Sequence, residues 1–220
     1  MPSELLCDND VILKACCYDL SIEVLLCLGR IGTYFILGSA SFVIVDRIKR
    51  SKSICNKERA VHNFELFLDQ AKIVEPSDAE ISLAAEIEAA AQQFNLALDS
   101  GESLLLAVLL MRDAVGLLLT GDKRAIQAIE ALGGHHELVA GLTQAVGCLE
   151  QLFLSLLMWE SLDLLQSRVC SERKVDVALA ICFSCASGQY TLETIRAGLT
   201  SYVAALRLQA KRALVASDNL

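Results

Sequence analysis

Leu117-Leu118-Leu119-Thr120-Gly121-Asp122-Lys123-Arg124-Ala125 sets an apolar run directly against a turn and a helix start. Together with Val115 and Gly116 the three leucines form an uninterrupted apolar run, the pattern of a strand buried on both faces. Thr120-Gly121-Asp122 breaks the run, and helical spacing then continues over 123–132. A buried strand followed at once by a helix is the repeating unit of a parallel sheet. The same unit recurs toward the N-terminus. Leu5-Leu6-Cys7-Asp8 is a short apolar strand ending in an acid, and Val11, Ala15, Leu20, Val24 and Leu28 predict one helix over 10–28, stopped by Gly29 and Gly32. Thr33-Tyr34-Phe35-Ile36-Leu37 is β-branched and aromatic and reads as a second strand. Ser39 or Ser41 caps a helix carrying Val43, Val45, Asp46 and Ile48, which ends in a basic run over 47–57.

A helix over 56–70 and a strand over 72–75 precede Pro76, and Ser77-Asp78 cap an Ala-rich helix to about 98. Asp99-Ser100-Gly101-Glu102 starts a further helix to 111. The alternation predicts an α/β fold, a three-layer parallel sheet flanked by helices, with active-site residues at the carboxyl ends of the strands. After Gly133-Gly134 the character changes: a last strand over 145–148, then helices over about 149–167, 172–186 and 191–213. The organisation is an α/β domain over 1–150 with an all-helical extension over 151–220 packed on the same core.

Composition restricts the classes. Hydrophobic residues make up 54% of the chain, and two prolines, Pro2 and Pro76, leave the helices uninterrupted. The two longest uncharged runs, 31–45 and 177–192, hold 15 and 16 residues. A membrane span takes about 20, so both read as buried core with no membrane partner. Glu4, Asp8 and Asp10 occupy the region where an export signal would be basic and then apolar, which predicts a cytoplasmic protein. The nine cysteines, an odd number set mostly in apolar segments, are expected to be reduced and buried. Cys182 and Cys185 have CxxC spacing but lack a second ligand pair for zinc. A net charge of −8 excludes a general nucleic-acid coat, though a carboxylate site with a local basic rim remains compatible with it.

The chemistry-bearing residues are acids. Asp8 ends the first strand, Asp122 follows a later one, and Asp99 and Glu102 open the helix before that later strand. A parallel sheet can bring these points to one edge, where carboxylates repel unless they are protonated or bridged by a cation. Mg2+ or Mn2+ suits such oxygen donors and can promote phosphodiester cleavage.

Three stretches resemble those of PIN-domain nucleases. The segment from Leu5 to Leu13 is similar to the family's opening strand and its Asp; Leu98-Asp99-Ser100-Gly101-Glu102 resembles its acidic turn; Leu117 to Ala125 is similar to its late strand with Thr-x-Asp. The resemblance covers about the first 150 residues. It implies a PIN-like fold and metal-dependent RNA hydrolysis, with Asp8, Glu102 and Asp122 as catalytic metal ligands and Asp99 adjoining. The family's further acid has no matching motif here; Asp46, Glu65 and Glu150 are the candidates. Lys123 and Arg124, and Arg47 and Lys49 in the basic segment, are the expected RNA-phosphate contacts.

Simpler roles compete for these residues. Asp10 and Asp122 can cap helices, Asp99 with Glu102 can form a reciprocal cap, and Asp46 and Glu150 read as paired surface acids. The basic segment can be a solvated helix end, and Trp159 a core or interface residue. Two other functions stay open. One is a haloacid-dehalogenase-like phosphohydrolase, suggested by Asp8-x-Asp10 and Gly121-Asp122, although Ile126 stands where that family has an acid. The other is a catalytically degenerate scaffold whose C-terminal helices bind a second copy or a helical protein partner.

Overall fold

The computed structural model describes residues 3–218 and 220. Five parallel strands, β1 (Ser3–Cys7), β2 (Gly32–Leu37), β3 (Lys72–Val74), β4 (Val115–Thr120) and β5 (Val146–Cys148), form one sheet in the order β3-β2-β1-β4-β5. Leu5, Leu6, Leu118 and Leu119 are almost fully buried, as central strands covered on both faces require. Between the strands run α1 (Asn9–Cys17), α2 (Ser21–Ile31), α3 (Ala40–Arg50), α4 (Lys57–Leu68), α5 (Asp78–Gln93), α6 (Ser100–Met111), α7 (Lys123–Leu132) and α8 (Glu137–Ala140). Parallel crossovers are right-handed, so the steps from β1 to β2 to β3 and the opposite steps from β3 to β4 to β5 put α1–α4 and α5–α8 on opposite faces. The helix contacts follow that split, with α1, α2 and α3 packed on α4, and α6 and α7 on α5. The fold is therefore α/β with a helical layer on each side of the sheet.

The expected helix over 10–28 is two helices. Asp19 adopts φ 56°, a left-handed conformation that Asp tolerates, and turns the chain between α1 and α2. Asn95, at φ 53°, follows the end of α5 at Gln93, short of the expected 98. The C-terminal helices are also shorter than the periodicity suggests: α9 (Leu149–Leu156), α10 (Leu162–Ser171), α11 (Val177–Cys182) and α12 (Leu192–Gln209). Ser161 caps α10 through the Leu164 amide, which divides the expected 149–167 helix.

The C-terminal third is bound tightly to the α/β core. Val146 of β5 pairs in parallel with Leu214, so the returning chain covers the sheet edge. Glu172, 1% exposed, accepts from the Cys55 and Asn56 amides at 2.8 Å each, just ahead of α4. Arg168 pairs with Asp19, and Phe153 packs edge-on against both Tyr18 and Phe183. Arg212 donates to the carbonyls of Ile129, Glu130 and Leu142, closing the ends of α7 and α8.

The cysteine expectation needs one correction. Cys170 and Cys185 form a disulfide, while the other seven are free thiols, all buried except Cys55. The CxxC pair is thus split, with Cys185 joined to Cys170 on α10 rather than to Cys182. Among the described residues, no helix is long and apolar enough to cross a membrane.

Candidate functional site

The sheet order changes direction at β1. From there the chain moves to β2 on one side, while β4 pairs on the other. Crevices open beyond the carboxyl ends of strands at such a switch point. A cleft of about 240 Å³ lies there, lined by Asp8, Asn9, Asp10, Ser39, Val43, Arg47, Asp99, Gly101, Glu102 and Asp122. All four acids expected at a metal site therefore line one cleft.

Asp8 leaves β1 with its amide bonded to the Leu119 carbonyl at 2.9 Å, which fixes it beside the end of β4. It is 8% exposed and caps α1, accepting from the Asn9 amide at 2.7 Å. Thr120 ties the two strand ends together. Its hydroxyl donates to Asp8 Oδ2 at 3.1 Å and accepts from the Asp122 amide at 3.2 Å. Burial, and then the charge of Asp10, raise the Asp8 carboxyl to about 6 against the opposing bonds from Thr120 and the amides.

Glu102 comes from the first turn of α6. It and Asp99 form a reciprocal cap: Glu102 accepts from the Asp99 amide at 2.9 Å, and Asp99 accepts from the Glu102 amide at 2.8 Å. Burial lifts the Glu102 carboxyl to about 8, and the charges of Asp99, Asp8 and Asp122 add to the rise. Three of the expected acids thus repel Glu102 in one cleft. Asp122 caps α7 through the Arg124 amide at 2.8 Å. Burial pushes its carboxyl upward, but the Arg124 side chain, bonded at 3.2 Å, holds it below its usual range. Among the described residues, no three His, Cys, Asp or Glu side chains already stand in the arrangement of a chelate.

Several expected roles are redistributed. Lys123 points its ammonium at Glu150, 2.5 Å away, and over the Tyr202 ring, so it is not a free phosphate contact. Glu150 is 1% exposed rather than a surface acid, because α9 runs into the core directly from β5. Arg124 is folded onto Asp122. Arg47 does line the cleft and lies 3.7 Å from Asp10, whereas Lys49 is exposed on α3 outside the cleft lining. Asp46 pairs with Arg50 at 2.9 Å, and Glu65 is exposed next to His62; neither belongs to the cleft. Trp159 is exposed beneath the Arg30 guanidinium, outside the core.

Two residues beneath the cleft carried weaker signals. Lys14 is buried and bridges Asp10 at 2.7 Å and Asp176 at 2.8 Å. Burial alone would lower its pKa, but the two carboxylates raise it, and Lys14 in turn outweighs burial to lower Asp176. A lysine amid Val11, Ile12 and Ala15 on the buried face of a helix is a legible demand for an acidic partner. Asp10 at i−4 answered that demand in sequence; Asp176 was visible only through the fold. Asp10 is thus an ion-pair partner in the first turn of α1, and the cap is Asp8. A Cβ at Gly121 would run into the Asp10 carboxylate, so a larger residue there would displace that side chain from its place beside Lys14. Comparison with protein-family models, with curated proteins and with solved structures gave no match to this chain.

Proposed function

We propose that the cleft is the catalytic site of a divalent-metal-dependent ribonuclease of PIN-like type, which hydrolyses RNA phosphodiester bonds. One observation carries this reading: Asp8 and Asp122 leave adjacent parallel strands at the switch point, and Glu102 from α6 meets them in the same cleft. The donor set is made of hard oxygens, which suit Mg2+ or Mn2+. Burial, and then the charges of Asp99, Asp8 and Asp122, raise the Glu102 carboxyl to about 8, and the repulsive part of that rise is what a cation would relieve. Asp8, Glu102 and Asp122 would hold the ion, with Asp99 adjoining. When bound, such an ion supplies Lewis-acid activation and charge neutralisation at the scissile phosphate. The chain's own residues orient and bind: Thr120 fixes Asp8 through its hydroxyl, and Arg47 on the rim attracts the phosphate.

A cytoplasmic location goes with this reading and with six buried free thiols, although the Cys170–Cys185 bond runs against it. The surface a second copy or a helical partner would use is the apolar groove of about 680 Å³ along α2, lined by Ile22, Leu25, Leu26 and Leu66 among others. The scaffold reading draws support from the occupied carboxylates, since Asp99 and Glu102 cap each other and Asp122 binds Arg124. The phosphohydrolase reading draws little, because Asp10 is held by Lys14 and Ile126 is buried in the core.

The test is incubation of labelled RNA and of phosphate monoesters with Mn2+, Mg2+ or chelator. RNA cutting that needs the metal, and that falls about 100-fold or more in Asp8→Asn and Asp122→Asn, is expected. Cutting that survives in Asp122→Asn sinks the site. Monoester turnover alone supports the phosphohydrolase, and inactivity on both substrates without bound metal supports the scaffold.

A further inference from the structure

The outward face of α3 combines features that the acid cluster leaves unused. Phe42 is 80% exposed, the most exposed large hydrophobic side chain among the described residues, and stands beside Val43, which lines the cleft together with Ser39 and Arg47. At helical spacing, Phe42, Val43, Asp46, Arg47, Lys49 and Arg50 share the solvent face, while Ile44 and Ile48 anchor the opposite face in the core. In a chain of net charge −8, the segment 47–59 holds Arg47, Lys49, Arg50, Lys52, Lys57 and Arg59 against the single acid Glu58. Ser39, the residue at the α3 N-terminus, makes no side-chain cap and lines the same cleft.

We propose that this face of α3 is a recognition platform for single-stranded RNA, with Phe42 stacking on an unpaired base and Arg47 and Lys49 holding the adjoining phosphates. The proposal rests on the ribonuclease reading and adds the surface beside the cleft, and the residue on it, that would hold a base of the substrate. An aromatic ring can stack only on a base freed from its neighbours, whereas duplex RNA offers backbone and groove. Basic side chains beside a lone aromatic complement a polyanion. An apolar protein partner would require a broad patch, and most of the exposed α3 residues that follow Phe42 are charged.

The experiment measures binding of labelled single-stranded and duplex RNA by anisotropy with chelator present, and kcat and KM for cutting with Mn2+. Phe42→Ala is expected to weaken single-strand binding about 5- to 100-fold and to raise KM rather than lower kcat. Phe42→Trp should bind like the parent, and Phe42→Leu like the alanine variant. Arg47→Ala should reduce the slope of log affinity against log salt by about 0.7. Because Phe42 is exposed, each variant should melt like the parent. A parent that cuts RNA while Phe42→Ala or Phe42→Leu binds unchanged overturns the platform and leaves the ribonuclease reading standing. Equal binding of duplex and single strand also overturns it. A parent that neither binds nor cuts RNA overturns both.

Discussion

Thr120 shows how much one hydroxyl can organise. It donates to Asp8 and accepts from the Asp122 amide, so two acids far apart in sequence are held at one edge by a single side chain. Glu102 shows the cost of that convergence, because burial and three neighbouring carboxylates keep its carboxyl protonated to about 8. A carboxyl raised in the folded state contributes stability below its unfolded value, near 4.5, and loses it as pH rises through the folded value. With chelator present, the protein should therefore become less stable between about pH 5 and about pH 9, and Glu102→Gln should flatten that fall. Gln keeps an acceptor for the Asp99 amide, so the cap survives. Thermal melts of both proteins across pH measure this, and parallel pH profiles would refute it. On the proposed metal-dependent reading, added Mn2+ should also reduce the parent's loss at high pH, because a cation would take over the role of the proton.

At the level of elements, α5 and the end of α6 are joined by one ion pair. Arg112 donates from Nε to Glu80 at 2.6 Å, from Nη2 to the other Glu80 oxygen at 2.8 Å, and to the Glu75 carbonyl at 2.9 Å. Glu80 is buried and also completes the reciprocal cap with Ser77. The Arg112 bonds bring its carboxyl down to about 2. Arg112→Met is expected to destabilise the fold by roughly 2–3 kcal/mol in urea titration near neutral pH, the scale of hydrogen bonds to a charged group. A depressed carboxyl contributes stability above its unfolded value, near 4.5, and loses it as pH falls toward 2. The difference between parent and variant should therefore shrink on acidification; a difference that stays constant would point to packing instead of the ion pair. This contact aligns the helix that presents Glu102, so the site depends on a bridge well outside the cleft.

At the scale of the whole molecule, the C-terminal helices belong to the foundation of the site. Asp176 reaches Lys14, Lys14 reaches Asp10, and Asp10 lies against Gly121 between the two strand ends. Lys14→Met would leave two carboxylates, Asp10 and Asp176, without their shared cation. A loss of about 3–5 kcal/mol is expected, as for a buried pair stripped of one member. Equilibrium unfolding of Lys14→Met and of Lys14→Met with Asp176→Asn measures the coupling. Recovery of part of the loss in the double variant is expected, and strict additivity would show that the two residues act independently.

Much of the fold was legible in the sequence because apolar runs and turn residues are local. The β1 and β4 runs, the serine at Ser77 and the Thr120-Gly121-Asp122 break each carried their own reading, and α7 occupies the span that its periodicity predicts. The breaks at Asp19 and Asn95 were hidden, since a left-handed residue can leave the apolar spacing on either side intact. Sequence also singled out Asp8, Asp99, Glu102 and Asp122, which meet in one cleft, because acids at the ends of buried elements need a partner. Which charges surround them depends on the packing of distant elements. That packing spent Lys123 on Glu150 and Arg124 on Asp122, left Arg47 at the cleft, and brought Asp176 under Asp10. Those outcomes depend on distances between residues far apart in the chain, and periodicity records only which face a residue occupies, not which distant charge that face will meet.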